Sequence, residues 1–196
     1  MNTWKRPLSA LLALSLALTL SACSGQPVSD TSGSQSTSSV VSDNSDGYYP
    51  VTITNYNYAG EEVSYTYNQA PQRVLAVYQG CIETMIALGL EDHVIASYGL
   101  DNEVKPEWQD GFSKMHYDDS VFDKETVTLM EPDFIFSWGS YFGDKKLGDV
   151  DAWNEKGVGT YMNSNTVPGG TRTLENEYTD ILNIGKIFHV EDKAQA

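Results

Sequence analysis

The chain is poor in cysteine, histidine and basic residues. Its 196 residues include 2 cysteines, 3 histidines and 12 lysines and arginines, against 27 aspartates and glutamates, for a net charge of −15. A chain this acidic does not hold nucleic acid by charge, because phosphate contacts need clustered lysine and arginine. Charge-driven adhesion to anionic lipid is excluded on the same ground. The three histidines (His93, His116 and His189) stand alone, and neither an HxxxH nor a CxxC spacing occurs, which argues against a protein zinc site. There is no Walker A motif and no GxGxxG, since Gly157-Val158-Gly159 lacks the third glycine. There is no GxSxG elbow either: in Gly139-Ser140-Tyr141-Phe142-Gly143 the serine stands one place early. The acidic pairs Asp118-Asp119 and Asp149-Val150-Asp151 read as solvated surface rather than metal or acid–base groups. What is present is 40% hydrophobic and 11% aromatic residues, which is ordinary for a globular protein and too much for full disorder.

The N-terminal segment is a targeting signal by its pattern. Lys5 and Arg6 precede a Leu/Ala-rich stretch over residues 8–20, which is short for a membrane span and is followed by polar sequence. Leu20-Ser21-Ala22-Cys23 resembles the bacterial lipobox, an aliphatic residue and two small ones before a cysteine. This predicts a signal peptide over residues 1–22 and a lipidated Cys23, held in the membrane stably when it carries more than one acyl chain. An ordinary signal peptide with an incidental cysteine is the alternative. Either way the body is extracytoplasmic, at the cell surface or in the periplasm. Without Lys5 and Arg6 the balance becomes 10 basic against 27 acidic, a net −17. Residues 24–47 hold nine serines, three glycines and no aromatic residue. With Cys23 they predict a flexible tether over residues 23–47, about 25–30 Å in root-mean-square span. Cys81 is then the remaining thiol, so a disulfide within the body is excluded. Cys81 lies in an apolar helical run and reads as a small core residue, with a nucleophile as the alternative.

The body, residues 48–196, opens with two alternating stretches, residues 51–54 and 63–67, around the turn residues Asn57-Tyr58-Ala59-Gly60; this is a β-hairpin pattern. Strand and helix signals then alternate. Residues 74–78, 93–98, 134–138 and 158–162 are strand-like. Helices are predicted after the first strand and stopping at Gly89, over residues 123–130 with Asp123 as N-cap, over 147–156, and over 173–188. The last has an apolar face of Leu174, Tyr178, Ile181, Leu182 and Ile184. This order predicts an α/β, Rossmann-like three-layer sandwich with a mainly parallel sheet, preceded by the hairpin.

In such sheets ligands bind beyond the carboxyl ends of the strands. There the sequence places Tyr78 and Gln79, Tyr98, then Trp138, Ser140 and Tyr141, then Asn165 in a loop that leads to Arg172. Aromatic faces, amides and hydroxyls at one edge suit a large, partly flat, polar organic ligand. The alternative is that the aromatic residues cap the core. Arg172 is suited to a bidentate pair with a ligand carboxylate, and equally to capping local structure. A surface-tethered hydrolase would need Ser140 or another serine beside one of the lone histidines.

Three stretches carry a family resemblance. They are Ala70-Pro71-Gln72-Arg73-Val74-Leu75-Ala76, then Glu83-Thr84-Met85-Ile86-Ala87-Leu88-Gly89-Leu90, then Glu125 through Met130 into Glu131-Pro132-Asp133-Phe134-Ile135. With the signal and the tether, they resemble the lipid-anchored substrate-binding proteins of bacterial ABC importers, of the iron-siderophore, haem and cobalamin class. The resemblance implies an N-terminal lobe of a two-lobe binding protein, with ligand held between lobes that one long helix joins. It implies an iron chelate, haem or a corrinoid as ligand, no resident cofactor, no catalysis, and a monomer that delivers its load to an ABC permease. It places ligand contacts at Tyr78, Gln79, Tyr98, Trp138, Ser140 and Tyr141, and a permease-docking carboxylate at Glu125, which helix-dipole stabilisation explains as well. The sequence stops at Ala196, where the resemblance places the linking helix, so a first lobe without its C-terminal partner is expected, and with it a truncated, weakly binding or inactive product as the alternative.

Overall fold

A computed structural model describes residues 47–196; the signal peptide, Cys23 and the tether as far as residue 46 lie outside the described residues. The chain first forms the antiparallel hairpin of β1 (Val51–Tyr56) and β2 (Glu62–Tyr67), with Val51 opposite Tyr67 and Tyr56 opposite Glu62. Asn57 closes its turn, its side-chain oxygen accepting from the Ala59 and Glu61 amides at 3.1 and 3.0 Å. A parallel sheet follows, built from β3 (Val74–Val77), β4 (Val94–Tyr98), β5 (Tyr117–Asp118), β6 (Phe134–Ser137) and β7 (Gly159–Met162). Its strand order is β5-β4-β3-β6-β7. The sequence predicts four of these strands. The fifth, β5, is two residues paired with Ser97 and Tyr98 at the sheet edge, too short to leave a periodic signal.

The helices are α1 (Gln79–Ala87), α2 (Gln109–Phe112), α3 (Lys124–Met130), α4 (Val150–Asn154), α5 (Leu174–Phe188) and α6 (Glu191–Ala194). The central strands are buried on both faces, which is why they read as unbroken apolar runs. On one face Val74, Ala76, Phe134 and Phe136 pack with Ile82 and Met85 of α1 and Ile184 and Ile187 of α5. On the other, Leu75, Val77 and Ile135 pack with Val127 of α3 and Val150 and Trp153 of α4. The three layers follow from this alternation. The hairpin lies along β7, where Asn55 acts as a substitute strand: its side chain accepts from the Met162 amide at 2.7 Å and donates to the Met162 carbonyl at 3.1 Å. That contact occupies backbone groups that an edge strand would otherwise leave open.

Two helix expectations are corrected. The predicted helix over 147–156 contracts to α4, because Gly148 turns at φ +77° and Asp149 caps the helix by accepting from the Val150 amide. The upstream Leu147 is instead a core residue whose carbonyl accepts from the Trp153 indole at 2.8 Å. On α5 the predicted apolar face is misplaced in part: Ile184 is buried and Ile181 packs against the core, as expected. Leu174, Tyr178 and Leu182 are exposed, while Asp180, Ile184, Gly185, Ile187 and Phe188 are buried. The stripe that carries Asp180, Ile184 and Ile187 is what meets the sheet, and Gly185 lets the helix approach α6, where an added Cβ would stand 2.6 Å from Ala194.

Asp133, in the turn before β6, ties the entry of two central strands. Its carboxylate accepts from the Gln72 and Arg73 amides, each at 2.8 Å, and the Arg73 guanidinium donates to the Met130 and Glu131 carbonyls. Asp133→Ala is expected to cost about 1–2 kcal/mol by leaving these amides to water. A lower urea midpoint at unchanged slope would show it.

Candidate functional site

The strand order creates the site. From β3 the chain builds outward through β4 and β5, then crosses back to place β6 on the other side of β3. Ligands of open α/β sheets bind in the crevice that this reversal opens at the carboxyl ends of the strands. Tyr78 and Trp138 are the first residues after β3 and β6. Their ring centroids lie 3.6 Å apart with an interplanar angle of 63°. Tyr141 continues the row, 6.4 Å from Tyr78, and Lys146 sits over its ring.

Tyr78 holds an uncommon backbone, φ 84° and ψ 154°. Its amide donates to the Tyr98 carbonyl and its own carbonyl accepts from the Ile82 amide, so the strand end and α1 together enforce the turn. Such a conformation costs a non-glycine residue about 1–3 kcal/mol and is concentrated at functional sites. The Tyr78 hydroxyl donates to the Asp101 carboxylate. Burial and then that bond push its pKa up to about 12, so it stays a neutral hydroxyl at physiological pH.

The opposite wall is the loop after β7. Asn163 and the 3-10 turn Ser164–Thr166 face Tyr78 and Trp138, with Arg172 and Glu177 beside them and Gly80 and Cys81 below, around a cavity of ≈ 220 Å³. Gly139 lets the two walls meet: a Cβ there would lie 2.4 Å from the Thr166 carbonyl oxygen, and its amide donates to Thr166 Oγ1 at 2.7 Å. Arg172 is exposed and forms no ion pair among the described residues. Cys81 is buried, and burial pushes its thiol well above the ordinary value, so it is a poor nucleophile at neutral pH.

The residues proposed from sequence therefore divide. Tyr78, Trp138, Asn165 and Arg172 line the cleft, and Tyr141 borders it. Ser140 is exposed on the 3-10 turn Gly139–Tyr141, at the same edge. Tyr98 is a correction: it is fully buried beneath the cleft, packed edge-on against Phe122 and Tyr141. It is the last residue of β4 and its side chain falls on the α3–α4 face of the sheet, in the core. Gln79 is a second correction. Its side-chain oxygen accepts from the Asp101 and Asn102 amides and its NH₂ donates to Glu83, so it holds the loop after β4 and does not line the cavity. Asn165 lines the cavity with its amide already engaged, donating to Thr173 and Glu177 and accepting from Thr173 and Asn176. Sequence reasoning did not single out Asn163, Thr166, Glu177 or Asp101 as site residues. The first two lie in the loop it placed at this edge, whereas Glu177 and Asp101 left no local signal.

Ser140 has no histidine for a partner at this edge. His93 precedes β4, at the opposite end of the sheet; His116 precedes β5, the edge strand separated from β6 by β4 and β3; and His189 stacks on Tyr48 after α5. Among the described residues no group of three or more His, Cys, Asp and Glu is placed to hold a metal ion. Among the described residues, too, no helix is long and apolar enough to cross a membrane.

No protein-family model and no curated protein matches the sequence. Solved structures do. A periplasmic binding protein from Veillonella parvula superposes with a TM-score of 0.70 at 32% identity, over 74% of this chain and 48% of that one. A structure from Saccharomonospora viridis, described as an ABC-type Fe3+-hydroxamate transport system, has the same fold, with a TM-score of 0.56 at 22% identity over 75% of this chain and 51% of that one. The chain thus spans about half the length of the structures it matches. By sequence and by fold together, the chain is similar to the N-terminal portion of two-lobe periplasmic binding proteins.

Proposed function

We propose that this chain carries the chelate-facing first lobe of an extracytoplasmic solute-binding component of an ABC importer. Its ligand is an iron-siderophore or a similar large chelate, with haem and cobalamin as the related choices. One observation carries the reading: at the topological switch point of the sheet, an aromatic row of Tyr78, Trp138 and Tyr141 faces an Arg172 without a carboxylate partner among the described residues. Aromatic faces pack against a flat chelate, and a guanidinium pairs with its carboxylates or net negative charge. The cavity of ≈ 220 Å³ is smaller than the roughly 300–1,000 Å³ that encloses a drug-sized ligand. A one-sided cleft of this size suits a ligand shared with a second lobe. The role is binding and delivery rather than catalysis, by a monomer anchored through a lipidated Cys23.

Delivery to a permease runs through Glu125. It is exposed in the first turn of α3, and Leu129, one turn on, is also exposed. A carboxylate with an apolar neighbour fits a partner surface that offers arginine.

The test is tryptophan fluorescence titrated with a panel of ferric hydroxamate and catecholate siderophores, haem and cobalamin. Quenching by one class, lost in Trp138→Phe, is the expected result. No quenching by any member, or full quenching retained in Trp138→Phe, overturns the reading.

A further inference from the structure

Asp180 is a charged side chain in the interior, 2% exposed, on the sheet-facing side of α5. Its carboxylate gathers three donors. Oδ1 accepts from the Tyr161 hydroxyl at 2.9 Å and from the Ser164 hydroxyl, and Oδ2 accepts from the Ser164 amide at 2.8 Å. Asn183 supports the group by donating to the Tyr161 hydroxyl at 3.0 Å. Two of the three donors belong to Ser164, which sits between Asn163 and Asn165 in the cleft wall. The wall is therefore held from behind by a single buried carboxylate and from the front by Gly139 and Thr166.

We propose that Asp180 is the positioning residue of the candidate site: its ionised carboxylate fixes the 163–166 wall of the cleft, and proton uptake there loosens that wall. This deepens the binding-protein reading and rests on it for the role of the cleft. The chemistry is one of donor counting. An ionised carboxylate accepts all three bonds, whereas a protonated one has a hydrogen of its own to place. On Oδ2 that hydrogen meets the Ser164 N–H head-on; on Oδ1 it is shared with the Tyr161 or the Ser164 hydroxyl, one of which must turn from donor to acceptor. With the charge gone, the wall either loses the Ser164 amide bond or keeps its bonds to Asp180 only in their weaker, neutral form.

The surroundings supply no cation to hold the proton off. The titratable groups near Asp180 are Tyr161 from β7, Cys81 from α1 and Glu177 on α5 itself, and no basic side chain pairs with it among the described residues. Burial first, with a smaller push from Glu177, raises its pKa to about 6 against the pull of the three donors. A folded-state value above the unfolded one means that ionisation costs global stability at neutral pH, and that this cost is relieved as pH falls through about 6. The wall responds in the opposite sense and tightens as pH rises through the same range.

The experiment needs no ligand for its main readouts. In the wild-type chain the Ser164 amide resonance is expected to titrate with its midpoint near pH 6. Amide exchange over 163–166, corrected for chemical rate, is expected to rise about fivefold or more from about pH 7.5 to about pH 5. In Asp180→Asn the titration is absent and exchange is fast at both pH values. Tyr161→Phe, which removes one donor and keeps the carboxylate, moves the midpoint upward and decides the matter if Asp180→Asn does not fold. A Ser164 amide that does not titrate, or an unmoved midpoint in Tyr161→Phe, overturns the proposal. Binding of ferric desferrioxamine B is measured in parallel, and is expected to weaken about fivefold or more over the same fall in pH. Failure of that chelate to bind at any pH counts against the functional reading alone, because the amide readouts still decide the role of Asp180.

Discussion

Gly139→Ala is expected to lower stability by about 3 kcal/mol or more and to abolish binding at the cleft. The added Cβ would stand 2.4 Å from the Thr166 carbonyl oxygen and 3.0 Å from Met162 Sδ. The sulfur sits on a flexible side chain, but the carbonyl is backbone and has little freedom. The Thr166 amide donates to the Asn163 carbonyl at 2.9 Å, and Thr166 Oγ1 both donates to Asn163 and accepts from Gly139. Relief of the clash requires the turn to leave β6, which pulls the two walls of the cleft apart. The internal control is Gly80→Ala, in the first turn of α1 on the adjoining wall. A Cβ there meets nothing within 4 Å, and the position lies within α1, so alanine is expected to stabilise by about 0.5–1 kcal/mol. Urea midpoints of the two variants should move in opposite directions; a Gly139→Ala midpoint equal to that of the wild type would refute the close-approach account.

Tyr78→Gly is expected to separate stability from binding. Glycine adopts φ 84° without the penalty a tyrosine carries, so about 1–3 kcal/mol of backbone strain is released. Against this stand the lost ring contact with Trp138 and the lost bond to Asp101. The two sides are of similar size, so the melting temperature should change little. Affinity for the chelate should fall about 30-fold, as when an aromatic anchor worth about 2 kcal/mol is removed. A variant that is much less stable would mean that the ring serves the fold. A stable variant with unchanged affinity would mean that Tyr78 is not a contact.

Much of the fold was legible because each element is locally consistent. The strand β3 is four apolar residues buried on both faces, and the N-cap at Asp123 is realised by a bond to the Thr126 amide at 2.8 Å. Errors arose where a residue's environment comes from distant chain. Leu174, Tyr178 and Leu182 keep a helical period, yet they face outward because the sheet is met by a different stripe of α5, the one that carries Asp180, Ile184 and Ile187. The candidate site shows the same division. Placing Tyr78, Trp138 and Arg172 at one edge needed only strand ends and the rule that ligands bind beyond them. Tyr98 and Gln79 also stand at strand ends, yet one faces the core and the other spends its amide on a neighbouring loop.

The sequence by itself determined the α/β class, the polarity of the sheet and the edge at which the candidate site lies, because period, caps and turn residues are local properties. Tertiary structure alone decided three things. It paired β3 with β6, which brings Tyr78 and Trp138 to 3.6 Å across a separation of sixty residues in the chain. It forced Tyr78 into a left-handed backbone between a strand and a helix. It also buried Asp180 behind the cleft, where its three donors come from β7 and the turn that follows. Each depends on which strand lies beside which, and that is settled by the packing of the whole sheet and not by any one stretch of chain.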